Sequence, residues 1–382
     1  MSTGSPSGPQ SRRAPIRALN RLAEGLSLLV TILVAVGAGV LVIFLTSEDP
    51  GASLRSFFLG PFSNRFFFGN MLQAAAPLLF TGLGLVIAFR AGAVNLGAEG
   101  QVYIGGLAGS AVLLYAPIES PVMLVVAAVA AAVAGGAIAG LAGWLRTRFG
   151  ATEVISSFLI GAIAIQLFDY VLRTYLVDPG AGFPATRSFA PEFTLTRLMS
   201  PSSFNASFFI GLGAAVLVYL LLFRTAFGYE LRMTGANRRF ARFAGMPVKR
   251  LFVVAMALSG AFAGLAAILE LSGVHGRLLT GFSPDLGWNG ITVALIARLH
   301  PLGVIPAALL YGYLHTGANT AGLFSDVSPR IASIIMSLIF YLITAQAIYA
   351  WIRHGILERR RLTPPGTTLD LPTADRGAEA GG

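Results

Sequence analysis

The segment Val122–Leu145 reads VMLVVAAVAAAVAGGAIAGLAGWL, twenty-four residues without a charged, amide or hydroxyl side chain. About 20 mainly apolar residues carry an α-helix through the hydrocarbon of a bilayer, so a membrane span is expected here. Six further stretches have the same character: Leu26–Leu45, Asn70–Phe89, Val154–Leu176, Ala206–Phe223, Leu251–Leu269 and Ile331–Ala350. Three shorter or glycine-interrupted ones, Gln101–Tyr115, Gly287–Ala297 and Leu302–Gly317, bring the count to about ten. These three can also be re-entrant or broken helices, which are tolerated only where protein or a cavity covers their backbone. The expected fold is an all-α polytopic membrane protein.

Composition agrees. Of 382 residues, 55% are hydrophobic and 12% charged, where a soluble domain carries about a quarter charged. Mean hydropathy is +0.73, which excludes a soluble globular domain and a disordered chain. Cysteine is absent, which excludes a disulfide scaffold, thiol chemistry and a cysteine-ligated metal. The net charge of +10 rests on 27 basic residues of which only Lys249 is a lysine. In a membrane protein such charge lies against cytoplasmic lipid headgroups, so membrane lipid rather than nucleic acid is the expected partner.

Direction follows from the basic residues. With a cytoplasmic N-terminus, twenty of them fall inside, including the cluster Arg224, Arg232, Arg238, Arg239, Arg242, Lys249 and Arg250. Six (Arg55, Arg65, Arg187, Arg197, Arg277 and Arg330) fall outside. This is the bias of the positive-inside rule, and it predicts cytoplasmic N- and C-termini in an inner (plasma) membrane. Residues 1–24, rich in Ser, Gly, Pro and Arg, read as a disordered cytoplasmic tail, and 353–382, Pro-, Thr- and Gly-rich from 363, as a second cytoplasmic tail, around a transmembrane domain at 25–352. The first apolar stretch is too long, and lacks the small-residue cleavage site, for a signal peptide.

Two segments echo each other. Leu96-Gly97-Ala98-Glu99-Gly100 follows the second span, and Leu286-Gly287-Trp288-Asn289-Gly290 follows the seventh. In a ten-span chain they lie near opposite faces, as an inverted repeat of spans two to five and seven to ten would place them. The glycines predict helix breaks, which free N–H and C=O groups that a polar solute could satisfy. Asn95, Glu99, Gln101 and Asn289 are therefore candidate residues of a substrate path. Glu99 could equally cap freed N–H groups at a helix start.

Residues 224–250 form the largest inside connection. Asn237 can N-cap a short helix that Gly245 and Pro247 end. Phe240, Phe243 and Ala244 share one face of it, bordered by Arg238, Arg239 and Arg242. Such a helix either lies on anionic lipid or docks in a groove of a cytoplasmic partner.

The run Gly235-Ala236-Asn237-Arg238-Arg239-Phe240-Ala241-Arg242-Phe243-Ala244-Gly245 resembles the coupling loop of ATP-binding-cassette (ABC) importer permeases, in their sugar- and nucleoside-importing branch. Other stretches are similar to the nucleoside permeases. They are Phe89–Gly92 leading to Asn95–Gln101, Thr152–Ser157, Gly273–Leu279 with Gly281–Pro284, and His300–Gly303. The similarity runs from about residue 70 to 350. Asn289 stands where relatives often have Asp, and Thr152 where they often have Asn. The resemblance implies a permease subunit that moves nucleosides inward. It also implies cytoplasmic ABC ATPase subunits as partners, a second permease subunit (a heterodimer) and an extracytoplasmic substrate-binding protein. Glu230, Gly235, Ala236, Asn237, Arg238, Phe240, Arg242, Phe243 and Gly245 would then transmit the ATPase stroke. No Gly-x-x-x-x-Gly-Lys-(Ser/Thr) occurs in the chain, so no cofactor is expected on it and ATP is expected on the partner subunits.

Three alternatives compete with this reading. A simple sugar such as ribose would use the same architecture. An ion-coupled secondary transporter would need carboxylates within spans, for which Asp169 and Glu99 could serve, while Glu153, Glu230 and Glu270 sit at span ends or in loops. Against a membrane enzyme, His275, His300, His315 and His354 are scattered and form no His-Glu-x-x-His site.

Overall fold

The computed structural model describes residues 13–328 and, between 330 and 342, all but 332, 336, 339 and 340; for 13–28 and 31 it describes the backbone alone. Among these residues every regular element is helical: α1 (Arg13–Thr46), α2 (Pro50–Leu59), α3 (Arg65–Arg90), α4 (Ala98–Leu114), α5 (Val122–Phe149) and α6 (Glu153–Val171). Then follow α7 (Ser207–Arg224), α8 (Ala226–Ala236), α9 (Arg238–Phe243), α10 (Val248–Glu270), α11 (Leu286–Ile296) and α12 (Val304–Phe324). Wider turns extend α6 through Leu172–Leu176 and α10 through Leu271–His275.

Short polar side chains start α2, α3, α8 and α9 by accepting their first free N–H groups. Asp49 accepts from Ala52 at 3.0 Å, Asn64 from Phe67 at 3.0 Å and Thr225 from Gly228 at 3.1 Å. The composition predicted a disordered tail to residue 24, but the backbone is helical from Arg13. Arg17, Ala18, Leu19, Arg21, Leu22 and Ala23 are all strong helix formers. Helix α2 lies in a stretch that hydropathy left as a connection. Residues 1–12 and the tail at 353–382 lie outside the described residues, as does most of Ile331–Ala350.

Among the described residues five helices are long and apolar enough to cross a membrane: α3, α5, α6 with its extension, α7, and α10 with its extension. A sixth results if α11 and α12, bent by 116° at their junction, count as one span. Helix α4 has 17 residues and α11 has 11, both short of a full crossing.

Helix α3 is the hub, with Leu78, Leu79, Leu83 and Ile87 fully buried. Helices α5, α6 and α7 turn Val125, Val129, Val133, Leu159, Ile163 and Leu217 outward. So continuous an apolar surface belongs in lipid. Inside, helices meet through small residues, which lets backbones approach closely. A Cβ on Gly135 would lie 2.3 Å from the Gly260 carbonyl oxygen, and one on Gly260 would lie 2.2 Å from that of Gly135.

The packing has an exchange relation. Helix α10 packs on α4 and α5, while α3 packs on α11 and α12. Interchanging α3–α4–α5 with α10–α11–α12 maps these interfaces onto one another.

Connections gather at two ends. At one, Arg90 Nε donates to the Leu299 carbonyl at 2.8 Å and Arg238 Nη2 to that of Gly92 at 2.8 Å. At the other, Arg187 donates to the Leu114 carbonyl, and Thr186 N–H to that of Leu278 at 2.8 Å. The first group holds segments that the charge bias put inside, and the second holds segments that it put outside.

Candidate functional site

Between α3 and α4 the chain leaves helical geometry at Gly92, whose φ of 70° is open to glycine at no steric cost. The groups so freed are satisfied within the protein. Asn95 is fully buried. Its Nδ2 donates to Gln101 Oε1 at 2.8 Å and to Ser259 Oγ at 3.0 Å, while its Oδ1 accepts from Gln101 Nε2 at 2.9 Å and Gly97 N–H at 3.1 Å. Leu96 N–H donates to Ser157 Oγ at 3.1 Å, which ties the Thr152–Ser157 motif to the break.

Glu99, in the first turn of α4, reaches across to the other echo. Its Oε1 accepts from Ser283 Oγ at 2.6 Å and its Oε2 from Gly287 N–H at 2.6 Å. A Cβ on Gly287 would lie 2.2 Å from the Glu99 nitrogen. The N-termini of α4 and α11 thus converge on one carboxylate, which satisfies a free N–H and opposes the positive ends of both helices. Asn289, on α11, donates from Nδ2 to the Tyr311 hydroxyl at 3.0 Å.

Tyr311 borders a cavity of about 510 Å³ between α3, α10, α12 and the 282–286 segment. That volume suits a small molecule. Phe66, Phe67, Phe282, Tyr311 and Leu323 supply apolar walls; Asn70, Gln73, Glu270, His315 and Asn319 supply polar groups. The Tyr311 and His315 rings are stacked at 5.8 Å and 14°.

The 226–243 segment is braced on the first break. A Cβ on Gly235 would lie 2.1 Å from the Arg90 carbonyl oxygen, and one on Gly92 would lie 3.1 Å from Gly235 Cα. Asn237 caps α9 by accepting from Phe240 N–H at 3.0 Å. The Arg238 guanidinium lies 4.8 Å over the Phe252 ring. Ala241 faces inward and is buried, whereas Phe243 is 91% exposed and Phe240 54%. Arg242 and Ala236 are exposed, Glu230 on α8 is half-buried, and Gly245 turns the chain out of α9 at φ 78°.

Residues 67–344 match the family described as branched-chain amino acid transport system / permease component. The chain belongs to this permease family. It is 30% identical to the glucose ABC transporter permease TsgB13 of Haloferax volcanii, over 89% of this chain and 92% of the relative. It is 30% identical to the probable riboflavin import permease RfuC of Treponema pallidum, over 85% and 87%. It is 29% identical to the guanosine ABC transporter permease NupP of Bacillus subtilis, over 86% and 95%. No solved structure matches.

The permease places Asn289 one contact behind the cavity lining, on Tyr311, while Glu99 holds Ser283 and Gly287, the chain neighbours of the lining residues Phe282, Pro284 and Leu286. Asn95 and Gln101 lie further back, paired with each other. The sequence pattern assigns no solute contact to Asn70, Gln73, Tyr311 or Asn319, and it places Glu270 at a span end and His315 among scattered histidines. A signal was present: Tyr311, His315 and Asn319 recur every four residues, and Asn70 and Gln73 are three apart, so each set marks one polar stripe on an otherwise apolar helix.

Proposed function

We propose that this permease is the membrane-spanning subunit of an ABC importer that carries a nucleoside inward, driven by ATP that separate cytoplasmic subunits hydrolyse. The observation that carries the reading is the brace between α9 and the cavity. Phe243 stands out from the protein, Arg238 and Gly235 press on the 90–92 main chain, and the same break leads through Asn95 to Glu99 and the start of α11. A push on α9 has a short, packed route to the cavity wall. In this reading Glu230, Gly235, Ala236, Asn237, Arg238, Phe240, Arg242, Phe243 and Gly245 form the ATPase contact, with Phe240 and Phe243 as its aromatic anchors. Asn95 and Gln101 brace the break, while Glu99 and Asn289 set the position of the cavity's lining.

The topology that goes with it is ten crossings, both termini cytoplasmic, with spans two to five (α3–α6) and seven to ten (from α10 onward) as halves of an inverted repeat. Two ATPases, a second and different permease subunit, and an extracytoplasmic binding protein complete the assembly. A heterodimer is supported by a pair in Bacillus subtilis: guanosine permeases NupP and NupQ are 29% and 24% identical to this chain.

A sugar is the second reading, favoured by the 30% identity to a permease named for glucose. Uptake of radiolabelled guanosine and ribose, in cells with and without this chain, tests the choice. Loss of guanosine uptake alone supports the nucleoside; loss of ribose uptake alone contradicts it.

A further inference from the structure

Two polar atoms at the cavity have no hydrogen-bond partner among the described residues. Glu270 Oε2 accepts a long bond of 3.3 Å from Gln73 Nε2, but Oε1 has none, and His275 Nε2 lies 4.0 Å from it. Asn70 spends its carbonyl on Ser203, accepting from the main-chain N–H at 3.0 Å and the hydroxyl at 2.9 Å, which leaves Nδ2 over. Glu270, Asn70 and Ser203 all border the cavity. An ionisable group at depth without a full set of partners is costly unless a ligand completes it.

We infer that Glu270 is the residue that reads the solute, and that it reads a pair of hydroxyls on adjacent carbons, as a ribose ring carries. Glu270 Oε1 calls for a donor and Asn70 Nδ2 for an acceptor. A hydroxyl is both, whereas an ammonium group only donates and a phosphate at neutral pH mainly accepts. A carboxylate oxygen also takes charge-assisted O–H bonds that are shorter and stronger than neutral ones. The Tyr311–His315 stack and Phe282 offer flat faces for the apolar side of the same ring. The inference rests on the nucleoside reading for the name of the solute, and on the cavity alone for its hydroxyl pair.

All these residues belong to one chain, so binding needs no second permease subunit. The test is equilibrium binding of tritiated guanosine to the full-length chain in lipid nanodiscs, with unlabelled guanosine, 2′,3′-dideoxyguanosine, guanine and glucose as competitors. Dideoxyguanosine and guanine should compete at least about tenfold more weakly than guanosine, the loss expected for hydrogen bonds to a charged acceptor. Glu270→Gln should weaken guanosine to the level of its dideoxy analogue and leave that analogue unchanged; a merely structural role would weaken both alike. Should Glu270→Gln fail to insert, the wild-type series decides by itself. Equal competition by dideoxyguanosine or guanine would show that the base edge is read and would overturn the inference. Binding of glucose but not guanosine, lost in Glu270→Gln, would retire the nucleoside and keep the hydroxyl pair. Binding of neither would overturn both.

Discussion

The Glu99 carboxylate accepts the main-chain N–H of Gly287 at 2.6 Å across 188 positions of sequence. Through this bond the first echo of the chain holds the second. Glu99→Ala would strand the Gly287 N–H and the Ser283 hydroxyl in a buried site, at a cost of about 2–3 kcal/mol. Glu99→Gln keeps an acceptor and should fall between. Heating the detergent-solubilised protein and scoring the fraction still monodisperse checks the order: wild type above Gln, Gln above Ala. Gly287→Ala should be at least as damaging as Glu99→Ala, since its Cβ would meet main chain rather than a movable side chain.

Gly235→Ala should separate folding from transport. Its Cβ would lie 2.1 Å from the Arg90 carbonyl, forcing α8 and α9 away from the 90–92 main chain. The expected outcome is a protein that still inserts, at reduced yield because the clash is with main chain, and whose ATP-dependent uptake falls much further than its yield. Uptake at the wild-type rate would show that this contact transmits nothing.

Phe240→Ala with Phe243→Ala removes exposed rings and little buried surface, so stability should change by less than about 0.5 kcal/mol. The ATPase subunits should no longer co-purify. Their retention, with α9 shifted in contact with lipid instead, would favour the membrane-surface role for this helix.

The sequence carried much of this segment because its signals are local. Asn237, Gly245 and Pro247 bound a helix within eleven positions, and a cap or a left-handed turn is decided by its own residues. The break at Gly92–Gly97 and the echo at 286–290 were legible for the same reason. That the two echoes touch was not, since the Glu99–Gly287 bond depends on how α3 and α10 pack. The cavity was less legible still. Glu270 sits at the end of a span by hydropathy, and only the approach of Asn70 and Gln73 from α3 and of Tyr311 from α12 gives it a site to face. Helix α2 escaped because ten residues of mixed polarity carry too little periodic signal, and its start rests on one cap, Asp49.

Outside the membrane, Asp326 clasps the turn after α1, accepting from Glu48 N–H at 2.6 Å and the Ser47 hydroxyl at 2.7 Å. The Glu48 main-chain bond foremost, with the Ser47 hydroxyl, holds this carboxyl below its usual pKa. A folded-state pKa that is depressed gives stability that is present above the unfolded value and lost as pH falls through the folded one. The wild type should therefore outlast Asp326→Asn on heating at neutral pH, by a small margin because the group is exposed. The gap should close once the pH drops below the ordinary carboxylate range. A gap that persists unchanged in acid would mean that the clasp does not depend on the charge.

The central claim is that this permease is a gate moved by force from a separate ATPase. Proteoliposomes decide it most directly, with labelled guanosine followed over time into vesicles that hold this chain alone, under proton or sodium gradients. The same measurement is made on vesicles that also hold its partner permease, ATPase subunits and binding protein, with ATP. Accumulation against the gradient only in the complete, ATP-fed vesicles is the predicted result. Uphill uptake by the chain alone would contradict it.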